Sequence, residues 1–142
     1  HGVGIGRRVD GIVLHPTRMA HIVRPAKRAV FIDAGEIGSC FSIPYLYPYW
    51  RAAFPPPIHH RGGTTLSMAD GHAEYWKWSD ETRTIPRTEI PAPNGFTAQM
   101  LGDGAVFDYA PQTKDGRYDL QKMQRAVWGR IGYAPARRRR GL

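Results

Sequence analysis

The sequence predicts a small α+β domain: an antiparallel sheet built on one tight hairpin, long loops and a short C-terminal helix. Three observations predict it. Two extended runs in the segment 64–78, TTLSMADGHAEYWKW, flank Asp70-Gly71, a preferred dipeptide for a two-residue type I′ hairpin turn. Leu120, Met123, Val127 and Ile131 recur at helical spacing, with Asp119 able to cap the start and Gly132 the end, which predicts a helix over 119–131. Finally, 16 glycines and 12 prolines commit much of the backbone to turns, and this excludes a long-helix bundle or coiled coil. Hydrophobic residues make up 42% of the 142-residue chain, enough for one core. No window approaches the ~18 apolar residues of a membrane span. The expected organisation is one domain over 1–134 and a basic tail over 135–142.

In chain order, the glycines at 2, 4 and 6 look like part of a phosphate-binding loop. No apolar strand precedes them and no helical pattern follows, so they read as extended or turning backbone. Ala29–Ile32 reads as a buried strand with Pro25 just outside it, and Ala34-Gly35-Glu36 as the following turn. Residues 40–58, CFSIPYLYPYWRAAFPPPI, form a structured loop, because Pro44, Pro48 and Pro55 to Pro57 exclude a central strand or helix. Tyr45, Tyr47 and Tyr49 alternate there, so an extended path puts all three on one face, beside Trp50. In the hairpin, a two-residue turn pairs Ala69 with His72, Met68 with Ala73 and Leu66 with Tyr75. That register predicts Leu66, Met68, Ala73 and Tyr75 on the core face and Thr65, Ser67, His72, Glu74 and Trp76 on the other. Residues 79–118 show little periodicity, with a short strand expected near Ala105-Val106-Phe107.

Half of the net charge of +8 comes from Arg137, Arg138, Arg139 and Arg140. A terminal run of this kind reads as a solvated tail or as a docking element for an acidic polysaccharide, a membrane surface or a neighbouring subunit. It does not read as a nucleic-acid module. The single cysteine, Cys40, excludes an intramolecular disulfide and reads as a small buried hydrophobe. Ser42 and Ser67 lack a nucleophile elbow, and 12 acidic residues offer few carboxylate pairs, so the chemistry points away from an enzyme. His59, His60, His72, Asp33, Glu36, Asp70 and Glu74 supply potential metal ligands, but their spacing does not make them converge. Asp70 and His72 flank a tight turn and are expected to point apart. Asp33, His60 and Asp70 stand as the metal candidates, with calcium at Asp70 the one cofactor left open.

Nine residues separate His60 from Asp70-Gly71, and His72-Ala73-Glu74 follows. This segment resembles the H-X9-DG signature of prepilin-type proteins, in which a histidine and small glycines precede a strand and an Asp-Gly-His-X-Glu turn follows it. Arg24-Pro25 with the strand ending at Asp33 resembles the family's earlier segment, and Ala126-Val127-Trp128-Gly129-Arg130 resembles its C-terminal helix. The resemblance covers most of 20–133, with the aromatic loop and 83–118 weakly matched. It implies a pilin-like or type II secretion pseudopilin-like subunit at the cell envelope or extracellular surface. It also implies that 1–142 is a globular portion following an anchor helix, the only route to a membrane. His60, Asp70, Gly71 and His72 would hold the fold, while Tyr45, Tyr47, Tyr49, Trp50 and the arginine tail would contact other subunits of the same or similar kind. Two other readings stand beside this one: a surface module binding acidic polysaccharide through the same aromatic and arginine residues, and a metal-dependent hydrolase using His59, His60, Asp70 and His72.

Overall fold

A computed structural model describes residues 8–9, 12–13, 16–33, 42–51, 55–85 and 108–134. The glycines at 2, 4 and 6, Glu36, Cys40, the strand expected near 105–107 and the Arg137–Arg140 tail lie outside the described residues. A two-stranded ribbon pairs β1 (Arg8–Val9) with β2 (Ile12–Val13). The main sheet is antiparallel in the order β3 (Ala29–Ile32), β4 (Gly63–Met68), β5 (Ala73–Lys77). A single-turn helix α1 (Asp80–Arg83) follows β5, and the long helix α2 (Lys114–Trp128) packs against the sheet. This is a small α+β domain. No helix among the described residues is long and apolar enough to cross a membrane.

The hairpin forms at the expected place in a different register. Gly71 N donates to Met68 O at 2.9 Å and Met68 N to His72 O at 2.8 Å, so the loop is the three residues Ala69-Asp70-Gly71. Gly71 alone is left-handed, with φ +95°. That is the turn-plus-bulge geometry of three-residue loops, whereas a type I′ turn needs both central residues left-handed. The extra loop residue shifts the pairing by one, to Ser67–Ala73, Leu66–Glu74, Thr65–Tyr75 and Thr64–Trp76. A one-residue slip turns a strand over, and β5 is turned over: Trp76 is 6% exposed and Tyr75 51%. Burial energetics explain the choice. The observed register buries Trp76 and Trp78 and leaves Lys77 in water, while the expected one would bury Tyr75 and direct Lys77 inward. A buried indole contributes about 4–6 kcal/mol by area, and an unpaired buried ammonium is costly.

Trp78 sits at the centre of the core, edge-on to Trp50 (centroids 5.9 Å, 73°) and to Trp76 (6.2 Å, 86°). Its indole N–H donates to Pro57 O at 2.6 Å. Leu66 and Met68 from β4 and Leu120, Met123 and Ala126 from α2 complete the contact. β3 is not the fully buried strand expected. It is an edge strand with a register break between Ala29 and Phe31, and Val30 and Phe31 are exposed.

α2 begins earlier and ends sooner than its apolar spacing suggested. The Thr113 hydroxyl accepts from Gly116 N at 2.9 Å, capping the helix, and Gly129 at φ +84° closes it with its N–H on Arg125 O. Asp119 is therefore interior to α2 and caps a different helix: its Oδ2 accepts from Ser79 N (2.8 Å) and Thr82 Oγ1 (2.7 Å) at the start of α1. Gly132 lies past the helix, where its N–H donates to Tyr45 O at 3.1 Å and a Cβ would sit 2.6 Å from that oxygen. The close approach, rather than a helix cap, requires glycine there.

Candidate functional site

The His60 to Glu74 segment divides into two side-chain clusters at opposite ends of β4. At its start, the chain reverses through Arg61 and Gly62, both at positive φ. There His60 Nε2 and Asp33 Oδ2 are 2.7 Å apart, linking the reversal to the end of β3. Asp33 is itself fixed to β4, its N–H donating to Thr65 O at 3.0 Å and its carbonyl accepting from Thr64 Oγ1 at 3.0 Å. The Tyr75 hydroxyl donates to His60 O at 2.7 Å. Its ring lies over Gly63, where a Cβ would fall 2.9 Å from Cζ and 2.2 Å from Trp76 O. Glycine at the first position of β4 is needed for that approach.

At the other end, Asp70 and His72 do not point apart. Asp70 Oδ1 accepts from His72 N at 3.2 Å and contacts His72 Nδ1, while His72 Nε2 faces Glu74 Oε1 at 3.1 Å. The Trp76 indole N–H then donates to Glu74 Oε2 at 2.7 Å. The longer loop lets Asp70 fold back onto the residue after the turn, and alternation places His72, Glu74 and Trp76 on one face of β5. Glu74 first and Asp70 second hold the His72 imidazole above its ordinary pKa. Glu74 is held below the usual carboxylate value, chiefly by the indole and then by His72. Loss of some water raises the Asp70 carboxyl, but the side chain and backbone N–H of His72 together outweigh this and lower it. The Lys122 ammonium lies 4.1 Å from the centre of the Trp76 ring, completing a chain of alternating charge.

Neither cluster assembles a nucleophile with a base. Among the described residues, no three His, Cys, Asp or Glu side chains are placed to hold a metal ion. Asp33 and His60 come together, but Asp70 is at the far end of the strand, and His59 is exposed in the reversal.

The aromatic loop is held by α2. Gln124, fully buried, donates to Pro44 O (2.8 Å) and Tyr47 O (2.9 Å) and accepts from the Tyr133 hydroxyl (2.6 Å). The Trp128 indole donates to Ile43 O at 3.1 Å, and Trp50 exchanges two 2.8 Å backbone hydrogen bonds with Tyr109. The tyrosines separate as a result. Tyr45 is half-buried against Trp128, with centroids 5.6 Å apart. Tyr47 stacks on Tyr49 at 5.4 Å and 9°, with the Arg51 guanidinium carbon 5.9 Å from the Tyr49 ring. Trp50 has 0% exposure and belongs to the core, so it offers no surface to a partner.

Sequence reasoning passed over the residues that carry most of the polar architecture. The Glu81 carboxylate accepts from Gln112 N (2.5 Å), Tyr109 Oη (2.9 Å), Thr113 N (2.9 Å) and Thr113 Oγ1, and so places an anion at the start of α2. Desolvation raises its pKa, yet these donors bring it down to about 2. Gly116 makes room for it, since a Cβ there would lie 2.0 Å from Glu81 Oε2. Arg28 is buried against the other end of α2, donating to Val127 O at 3.1 Å, and its burial lowers its pKa. A pairing across tens of residues leaves no local signature. Thr113 three residues before a glycine and before Lys114-Asp115 was the one readable sign of a helix start. Comparison with protein families, curated proteins and solved structures finds no match to this chain.

Proposed function

We propose that this domain is a non-catalytic structural subunit, pilin-like or pseudopilin-like, that packs into a filament or secretion-type assembly of the cell envelope or extracellular surface. The observation that carries the reading is what the H-X9-DG residues do. His60 joins the start of β4 to Asp33 at the end of β3, and Gly71 closes the hairpin in a left-handed conformation. Asp70 and His72 brace that turn. His60, Asp70, Gly71 and His72 are each engaged in closing the hairpin or in tying it to β3. Such a motif suits a domain whose task is to present a stable surface repeatedly. Electron microscopy and ultracentrifugation of the protein isolated from its source test the reading. Ordered filaments or tubes with this chain as the repeating unit support it, and a species monomeric at all concentrations overturns it.

A second reading, a surface module for acidic polysaccharide, is favoured by one feature, the Tyr47–Tyr49 stack with Arg51 beside it. Tyr47 is 51% exposed on a loop whose backbone Gln124 holds, so little ordering cost would oppose stacking of a ring on it. Salt-sensitive retention on a polyuronate matrix, lost in Tyr47→Ala and independent of oligomeric state, distinguishes this reading from the first.

A further inference from the structure

We infer that the outer edge of β5 is a self-association surface on which a second copy of this chain adds its own β5, antiparallel, about a two-fold axis at Tyr75. The inference deepens the structural-subunit reading and rests on it for the choice of a second copy as partner. Its geometric basis is the strand register. Met68 N bonds to His72 O and Trp78 N to Gly62 O, and the ladder between them is uninterrupted. In an antiparallel pair the hydrogen-bonding direction alternates residue by residue. His72, Glu74, Trp76 and Trp78 therefore direct their backbone groups toward β4, and Ala73, Tyr75 and Lys77 direct theirs outward. Among the described residues no strand pairs with that side of β5. The Tyr75 side chain does not shield it either. Its ring leans across Gly63 and its hydroxyl is tied to His60 O, which draws it over β4 and away from the edge. Three consecutive outward N–H and C=O pairs on a rigid hairpin are a template for strand addition.

Charge complementarity selects a second copy in antiparallel orientation. The N-terminal half of the strand carries two carboxylates, Asp70 and Glu74, around the single imidazole of His72 and is acidic on balance, and the C-terminal half carries Lys77 with Lys122 over Trp76. Parallel pairing would set like ends together; the two-fold arrangement sets each acidic half against a basic half. Tyr75 then pairs with Tyr75, Ala73 with Lys77 and Glu74 with Trp76, so that each Glu74 faces the Lys122 covering the opposite indole. Asp80, just past the strand, is already paired to Arg83. Lys77, which would discourage pairing with most strands, meets only the small Ala73 of the second copy. The product is a continuous sheet of two three-stranded halves, joined by about six backbone hydrogen bonds.

Register-specific cross-linking tests this. Chains carrying Cys40→Ser with either Ala73→Cys or Lys77→Cys are prepared separately and oxidised alone or mixed. The arrangement brings position 73 of one chain opposite position 77 of the other, within the Cα separation of about 4.4–6.8 Å that a disulfide spans. Equal positions are about four residues apart along the strand. Heterodimer forming in the mixture at least tenfold faster than homodimer in either sample supports the inference. Equal rates overturn it. In parallel, Ala73→Pro removes an outward N–H from an edge where proline is tolerated. A dissociation constant raised tenfold or more, with unchanged circular dichroism, supports the edge. Assembly indifferent to Ala73→Pro overturns the edge while leaving the subunit reading in place, and a wild-type chain monomeric at every concentration overturns both.

Discussion

Substituting Glu81 by Gln removes the charge from the carboxylate that joins α1 to the start of α2 while keeping its shape. Four donors converge on it, from Tyr109, Gln112 and Thr113. An amide can accept on one side only and would turn its NH2 toward backbone N–H groups on the other. The depression of the carboxyl from 4.5 to about 2 is equivalent to about 3 kcal/mol of preferential stabilisation of the charged form. The group is partly in water, so screening reduces the expected loss in Glu81→Gln to about 1–2 kcal/mol at pH 7. The pH dependence follows from the direction of the shift. A carboxyl with a lower pKa folded than unfolded stabilises the fold above its unfolded value of about 4.5 and loses that contribution as the pH falls toward about 2. More than half should be gone by pH 3. Urea denaturation of wild type and Glu81→Gln at pH 7, 5, 4 and 3 reads this directly. The two stability curves should converge as the pH drops. A gap that stays constant from pH 7 to pH 3 would refute the assignment of Glu81 as a charged clamp.

Gly71→Val should destabilise the domain by about 1–2 kcal/mol, entirely through backbone strain, because a Cβ there meets nothing within 4 Å; urea melts should show Gly71→Asn costing clearly less. Gln124→Leu should cost about 2–4 kcal/mol by stranding Pro44 O, Tyr47 O and the Tyr133 hydroxyl, and hydrogen exchange should show earlier opening of 43–50 than of β4. His72 should titrate above 6.5 in a proton NMR experiment, and Glu74→Gln should lower its midpoint more than Asp70→Asn does. Because that folded value is raised, the stabilising contribution of His72 is complete in acid and disappears as the pH rises through its midpoint.

The α+β class, the hairpin at 64–78 and the helix near the C-terminus were legible because each depends on neighbours in sequence. An Asp-Gly between extended runs makes a turn wherever it occurs, and apolar residues three and four apart share a helix face in any fold. The alternation WKW at 76–78 also contained the correct register, since only one parity buries both indoles and frees Lys77. Its neighbour, the choice between two and three loop residues, is a matter of less than a turn's energy by itself. The core decided it, because Trp78 could pack on Trp50, and Trp76 on Trp78, only with Gly71 taken into the loop. The same holds for the polar framework. Asp119 looked like a cap for its own helix, and Thr113 takes that role while Asp119 caps α1 from 40 residues away. Trp50 looked like a surface aromatic until the bridge to Tyr109 turned it inward. Local periodicity and turn chemistry are short-range, so the sequence by itself determined which segments turn, extend or coil. Which faces are buried, which carboxylate caps which helix and which ring stays in water depend on groups brought together across the chain, and only the tertiary structure decided those.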